Sequence, residues 1–192
     1  MPIDEQMKEF VVKLLNEKVS VKYYYHNYKH TLHVAAKVLE IGKQENCTAS
    51  ELKLLYAAAL WHDTGYINTY AGHEAESCML AQQYLPGYGF SPDDINKVCG
   101  MIMATRVPQS PQSKLEEIIA DADLEYLGTE EAGNKAADFF KELKHLDPSI
   151  TKTEWNKRQI AFLKQHKYFT PFCKENMEPF KLQYLAELVK NS

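Results

Sequence analysis

Apolar residues recur three and four positions apart along most of this chain, the spacing that gives a helix one buried face. Val, Ile and Thr do not alternate with polar residues in the runs that predict strands. The pattern therefore predicts an all-α fold, a single helical bundle of about eight or nine helices. It is clearest near the start of the chain, at Met7, Phe10, Val11, Leu14 and Leu15.

Capping residues and helix breakers divide this pattern into separate helices. Segments 48–51 and 151–154 both read Thr-x-x-Glu, the form of a capping box, and each predicts the first turn of a helix. Residues 105–113 contain two prolines and predict the longest loop. Pro179 is expected to kink or split the last helix.

A chain of 192 residues is long enough to bury one sizeable core without disulfide bonds or a structural metal. We therefore expect a single domain over residues 1–192. The motif-bearing core is expected at about residues 26–128, and helices formed by residues 129–192 are expected to pack on it.

Charge and cysteine usage narrow the class of partner. The net charge is −4 and only two arginines occur, so nothing indicates a surface for nucleic acid or an anionic membrane. No apolar run approaches the roughly 18 residues of a membrane span, and the N-terminus lacks the pattern of a signal peptide. The four cysteines are scattered without a Cys-x-x-Cys pair, which favours reduced thiols and a cytoplasmic protein. The oligomeric state stays open, with a homodimer as one option.

An imidazole and a carboxylate stand side by side where an apolar segment ends. The run Leu54–Leu60 leads through a tryptophan into His62 and Asp63. Such polar groups are costly to bury unless they are paired, hydrogen-bonded or bound to a cation. A third ionisable group, His30, falls on the apolar stripe of the helix predicted at residues 30–44. We therefore expect these side chains to face the core.

A later helix adds carboxylates to this set. Asp121 and Asp123 lie in a strongly apolar segment, and residues two apart in a helix point in nearly opposite directions. Only one of them can face a shared site, and spacing alone leaves both open. Two imidazoles and two carboxylates suit a divalent metal ion such as Mn, Fe, Mg, Co, Zn or Ni rather than a zinc held by thiolates. Drawn from three helices, they predict a metal ion inside the bundle with positions open for water and substrate.

The order of these residues resembles the HD superfamily of metal-dependent phosphohydrolases. His30, with Val34 four residues on, resembles the first family motif. The dipeptide His62-Asp63 resembles the motif that names the family, and Asp123 falls in the last motif, Ala-Asp-hydrophobic. The resemblance implies one or two divalent metal ions, with the second of the two late acids as a ligand. One ion is favoured, because a two-metal site needs more His and Asp ligands than the sequence clearly offers. The implied ligands are His30, His62, Asp63 and Asp123.

A narrower likeness covers residues 25–30, Tyr-His-Asn-Tyr-Lys-His. They resemble the Tyr-His-Asn-x-x-His of cyclic-nucleotide phosphodiesterases, in which the first histidine protonates the leaving oxygen. The resemblance implies that His26 is a general acid, and with the metal ligand Asp63 it forms the expected catalytic pair. A histidine that only stacks on an aromatic surface is the alternative.

Three further side chains are expected to contact substrate. His73 lies where some HD proteins carry a histidine that contacts a second metal or the phosphate. Arg106 precedes the last metal-binding helix, where its planar guanidinium suits a phosphate, with Lys114 close behind it. A surface position is the alternative for His73 and Arg106. His145 and His166, which lie among lysines late in the chain, are expected at the surface.

Together these residues predict a metal-dependent phosphohydrolase. Its substrate is expected to be a small phosphate ester, a nucleotide in the first instance, cleaved by attack of a metal-activated water. Monoesters and diesters both remain open. One alternative is a non-hydrolytic regulatory module that binds a metal ion and a nucleotide. The less favoured alternative is a di-iron oxygenase, which needs about six protein ligands.

Overall fold

The computed structural model describes residues 3–191, which form ten α-helices and three short 3₁₀ helices. No strand occurs in that range, so the all-α prediction is confirmed. The α-helices are α1 Ile3–Lys18, α2 Tyr28–Gln44, α3 Ala49–Trp61, α4 His73–Tyr84, α5 Pro92–Ala104, α6 Lys114–Asp123, α7 Ala132–Leu146, α8 Lys152–Gln165, α9 Pro171–Asn176 and α10 Glu178–Lys190. The 3₁₀ helices are Thr64–Ile67, Leu85–Tyr88 and Glu125–Gly128. Within the described range, none of these helices combines the length and apolarity that crossing a lipid bilayer requires.

Helix boundaries follow the capping residues. The predicted capping boxes at 48–51 and 151–154 are both confirmed, and residues 91–94 form a third. The last predicted helix is split into α9 and α10, which accounts for the tenth helix in the described chain. Pro179 lies in the first turn of α10, where its missing N–H costs no helical hydrogen bond.

Helix α3 lies at the centre of the bundle. It packs against α1, α2, α4, α5 and α6, and most of its residues from Leu54 to Trp61 are buried. A helix that is apolar nearly all round suits such a position. The polar residues that follow Trp61 are therefore placed at the edge of the main core rather than at the surface.

The C-terminal helices pack over one end of this core. Helix α10 contacts the Glu125–Gly128 turn, and Leu163 of α8 joins a small apolar cluster with Tyr25 and Tyr126. This contact brings α7, α8 and α10 close to the end of α6. Residues of α7, α8 and α10 form one wall of the cavity described below.

Asp121 ties the C-terminal part to α6. Its carboxylate accepts the N–H groups of Phe169 and Thr170, each at 2.8 Å, and the hydroxyl of Thr170 at 2.7 Å. Burial raises the pKa of Asp121 to about 6, in opposition to the hydrogen bonds from Thr170 and Phe169. Asp121 therefore holds the N-terminal end of α9 against α6.

Candidate metal centre and active-site cavity

The turn after α3 carries two of the ionisable groups and is held by a side chain from α4. The Ser77 hydroxyl donates to the His62 carbonyl (2.6 Å) and accepts the N–H of Gly65 (2.8 Å). A Cβ on Gly65 would lie 2.0 Å from the His73 carbonyl oxygen, so no other residue fits there without movement. The close approach of α4 leaves Asp63 lining a cavity.

Two histidines and two aspartates converge beside this turn. His30 Nε2 lies 3.0 Å from Asp123 Oδ1 and 3.5 Å from Asp63 Oδ2. His62 Nε2 lies 3.2 Å from Asp63 Oδ2 and 3.5 Å from Asp123 Oδ1. Ligand atoms about 2.1 Å from a tetrahedral ion stand roughly 3.4 Å apart. The spacing of these donor atoms therefore suits a single cation among them.

His62 shows why this cluster favours a positive charge. Its Nδ1 donates to the Ala59 carbonyl (2.7 Å), so the neutral ring turns the Nε2 lone pair toward the carboxylates. His62 Nε2 and Asp63 Oδ2 are buried and form no hydrogen bond with the described residues. Acceptors that face one another repel unless a proton or a metal ion lies between them. The donor set and its buried acceptors thus fit a divalent cation.

Ionisation of the cluster follows the same electrostatics. Burial raises the pKa of Asp63, but the adjacent His62 outweighs burial and holds it well below its usual range. Asp123 behaves alike, with His30 as its hydrogen-bond partner. Burial lowers the pKa of His62, and the two carboxylates reverse that effect and raise it well above the usual value. Both aspartates therefore stay ionised at neutral pH, as ligands of a cation must.

His26 lies next to the cluster and is held by a carboxylate that the sequence did not reveal. Its Nδ1 is 2.5 Å from Glu142 Oε1. Glu142 is fully buried and also accepts the Tyr70 hydroxyl (3.1 Å) and the N–H groups of Tyr25 and His26 (3.0 Å each). Burial raises the pKa of Glu142, but His26 outweighs it and the pKa is lowered. Glu142 lies on the buried face of α7, and a buried carboxylate needs a partner, so its position on that face could have indicated a polar contact.

Aromatic stacking places His26 and His73 on one side of the cavity. The His26 ring stacks on Tyr66, with ring centroids 4.3 Å apart, and Tyr66 stacks on His73 at 3.9 Å. His73 Nε2 lies 3.5 Å from Asp63 Oδ1, and both histidines line the cavity. The structure therefore brings His73 to the edge of the candidate metal centre.

The cavity has a volume of about 550 Å³ and continues from the cluster to the C-terminal helices. Gln159 is buried in its far wall and accepts the Tyr184 hydroxyl at Oε1 (3.2 Å). Arg158 also lines the cavity, and neither residue carries a motif that sequence reasoning could have used. The surrounding wall is aromatic and is formed by Tyr126, Phe139, Trp155, Phe162 and Tyr184.

Two residues expected to contact phosphate, Arg106 and Lys114, do not line the cavity. Arg106 is exposed and does not line the cavity, although Thr105 and Val107 on either side of it do. Lys114 is exposed at the first residue of α6, beside Cys47. Lys114 lies nine positions before Asp123 at the metal-facing end of α6, a helical rise of about 14 Å. The reason is that α6 begins at the edge of the bundle far from the cavity.

Other ionisable residues considered from the sequence lie outside the cluster. Asp121 binds Thr170 as described, so only Asp123 of the two late acids faces the histidines. His33 Nε2 lies 3.1 Å from Glu125 Oε2. The expectation of a surface position for His166 is wrong. Its ring is half-buried, and burial lowers its pKa to about 3.

Comparison with known proteins agrees with this geometry. The family model described as HD domain matches residues 27–125, more than half of the chain. The crystal structure of Bacillus subtilis YpgQ in complex with ADP is similar, with a TM-score of 0.67, 20% identity, and coverage of 99% of this chain and 95% of that chain. So is a predicted HD superfamily hydrolase from an uncultured Thermotogales bacterium, with a TM-score of 0.64, 20% identity, and coverage of 95% and 89%. No curated protein sequence matches the chain.

Proposed function

We propose that this chain, which belongs to the HD domain family, is a metal-dependent hydrolase that cleaves a phosphate ester of a nucleotide. One observation carries the proposal. A buried cluster fit for a divalent cation and a histidine fixed by a buried carboxylate line the same cavity. Hydrolysis of a phosphate ester needs both an electrophilic aid at phosphorus and a proton for the leaving oxygen.

The proposed ligands are His30, His62, Asp63 and Asp123. A bound divalent ion supplies Lewis acidity, which offsets charge on the phosphoryl group and makes water nucleophilic near neutral pH. Around it, Ala59 orients the His62 ring through Nδ1, and Ser77 holds the turn that carries Asp63. Such supporting contacts fix ligand orientation before the ion binds.

His26 is the proposed general acid. Glu142 accepts a hydrogen bond from the Nδ1–H of His26 and fixes the ring, so a proton on Nε2 can be aimed at the leaving oxygen. The Tyr66 ring stacks against His26 and limits its rotation.

The nucleotide assignment is supported by the opposite wall of the cavity. Aromatic rings there suit a stacked base, and the Gln159 amide can hydrogen-bond a base edge. The similar Bacillus protein, as crystallised, contains ADP. With the phosphate at the cation cluster, the base would reach the C-terminal helices.

The test is a screen of nucleoside monophosphates, polyphosphates and cyclic nucleotides, together with phosphorylated sugars, against protein loaded with Mn²⁺, Mg²⁺, Co²⁺ or Fe²⁺. We expect turnover of at least one nucleotide, and the product identifies a monoesterase or a diesterase. Asp63→Ala is the negative control. Metal binding without turnover of any ester would instead indicate a regulatory module. About two iron atoms per chain with oxygen uptake would indicate an oxygenase.

A further inference from the structure

Two cysteines that are far apart in the sequence face each other where α4 packs on α5. Cys78 Sγ lies 3.5 Å from the Cys99 carbonyl oxygen, and Cys99 Sγ lies 3.8 Å from the Cys78 carbonyl oxygen. Each thiol thus reaches the backbone of the other residue across the contact between α4 and α5. A disulfide needs such neighbouring residues, with Cα atoms usually about 4.4–6.8 Å apart. The sequence, with no Cys-x-x-Cys, gave no sign of this pair.

The two thiols differ in environment. Cys78 is buried, whereas Cys99 is only half-buried. Contact with Cys78 lowers the pKa of the Cys99 thiol, while the same contact and burial raise the pKa of Cys78. An accessible thiol that ionises more readily reacts first with an oxidant, and a nearby thiol then resolves it.

We propose that Cys78 and Cys99 are a redox modification site and form a reversible disulfide when the protein meets a peroxide. In the first step the Cys99 thiolate attacks one oxygen of hydrogen peroxide, becomes a sulfenic acid and releases hydroxide. In the second step the Cys78 sulfur attacks the Cys99 sulfur, the S–O bond breaks, and water leaves. The sum is two thiols and one peroxide giving one disulfide and two waters.

The bridge would act on the cation cluster through Ser77. A disulfide holds its sulfur atoms at about 2.05 Å with a fixed torsion, so it ties Cys78 of α4 to Cys99 of α5, and we infer that α4 shifts at this point. The neighbouring Ser77 holds the His62 carbonyl and the Gly65 N–H. Displacing such a supporting contact weakens metal binding by about tenfold to a hundredfold. This consequence rests on the proposed metal site, whereas disulfide formation does not.

Peptide mapping tests the bridge directly, since trypsin places each cysteine on its own peptide: 44–53, 54–97, 98–106 and 168–174. After treatment of the full chain with equimolar hydrogen peroxide, we expect peptides 54–97 and 98–106 to appear linked. Reductant should separate them. The count of free thiols should fall by two from the four of the reduced chain. An unlinked Cys99 oxidised to sulfinic acid, or a link between two chains, would overturn the proposal.

Three variants make the order of steps visible. Cys78→Ser should stop at a sulfenic acid on Cys99 that dimedone traps, and Cys99→Ser should form no link. Cys47→Ser is the matched control, since Cys47 is also half-buried, and it should link as the wild type does. Equal dimedone labelling of Cys78 and Cys99 would overturn the assigned roles.

Titration with Mn²⁺ alone tests the coupling. Oxidised wild type should bind Mn²⁺ about tenfold to a hundredfold more weakly than the reduced protein, and peroxide-treated Cys78→Ser should not. A linked protein with unchanged Mn²⁺ affinity would overturn the coupling. If neither state binds Mn²⁺, the proposed metal site fails while the peptide map still decides the disulfide.

Discussion

The two sides of the cavity differ in what they contain and in where they come from. On one side, the ends of α2, α3 and α6 bring together ionisable groups that lie within hydrogen-bonding distance of one another. On the other side, α7, α8 and α10 supply aromatic rings around the amide of Gln159. Under the proposed function, the first side would carry the reaction at phosphorus and the second would hold the base. Reaction type and substrate choice would then be carried by different parts of this chain.

The largest effect should come from removing a ligand on the ionisable side. Asp123→Ala should abolish metal binding and turnover, because it removes one of the two carboxylates that His30 and His62 share. Asp121→Ala is the matched control and should keep the metal, since its carboxylate binds Thr170. Metal content per chain and turnover of the best substrate measure this, with circular dichroism to check helicity. Metal loss in Asp121→Ala instead would exchange the two assignments.

His26→Ala should retain the metal and lose roughly 10²–10⁴-fold in turnover, the range for a missing general acid. A nitrophenyl ester needs little protonation of its leaving group, so its loss should be much smaller than that of an alkyl phosphate. Glu142→Gln, which changes a residue of the C-terminal part, should give an intermediate loss with the same dependence on leaving group. An equal loss on both esters would show that His26 is structural.

Asp121 joins the two parts, and its ionisation should make that junction sensitive to pH. Its pKa rises from 3.8 to about 6 in the fold, so ionisation is disfavoured in the folded chain. Protonated Asp121 therefore adds to the free energy of unfolding. This contribution is fully present below about pH 4 and is lost as the pH rises through about 6. Relative to Asp121→Asn, wild type should lose about 3 kcal/mol over that interval. Urea unfolding of both proteins measures it, and parallel pH profiles would contradict the shift.

The smallest effect is expected from a substitution in the aromatic wall of the cavity. Gln159→Leu removes one hydrogen bond to the base, which should raise KM for a nucleotide about tenfold and leave kcat nearly unchanged. Nitrophenyl phosphate has no base, so its KM should not change. Gln165→Leu, an exposed glutamine on the same helix, is the control. An equal change of KM for both substrates would remove Gln159 from base recognition.

Sequence reasoning reached the ionisable side because its residues are polar groups in apolar helices. His30, His62 and Asp63 could be predicted to face the core. The choice of Asp123 over Asp121 as the acid that faces the histidines needed the resemblance to a family. The helical fold and its capping boxes followed from periodicity and from short-range hydrogen bonding. Arg106 and Lys114 lie outside the cavity lining, because proximity in sequence to α6 does not determine which end of that helix lies at the cavity. Cys78 and Cys99 meet only because α4 packs on α5.

The bond between His26 and Glu142 has a consequence for how such a chain can be divided. The family model stops at residue 125, while Glu142 lies seventeen residues later, on α7. A fragment cut at the edge of the recognisable motifs would keep every proposed metal ligand and lose the carboxylate that holds His26. The two parts of this chain therefore have to be inherited, transplanted or redesigned together.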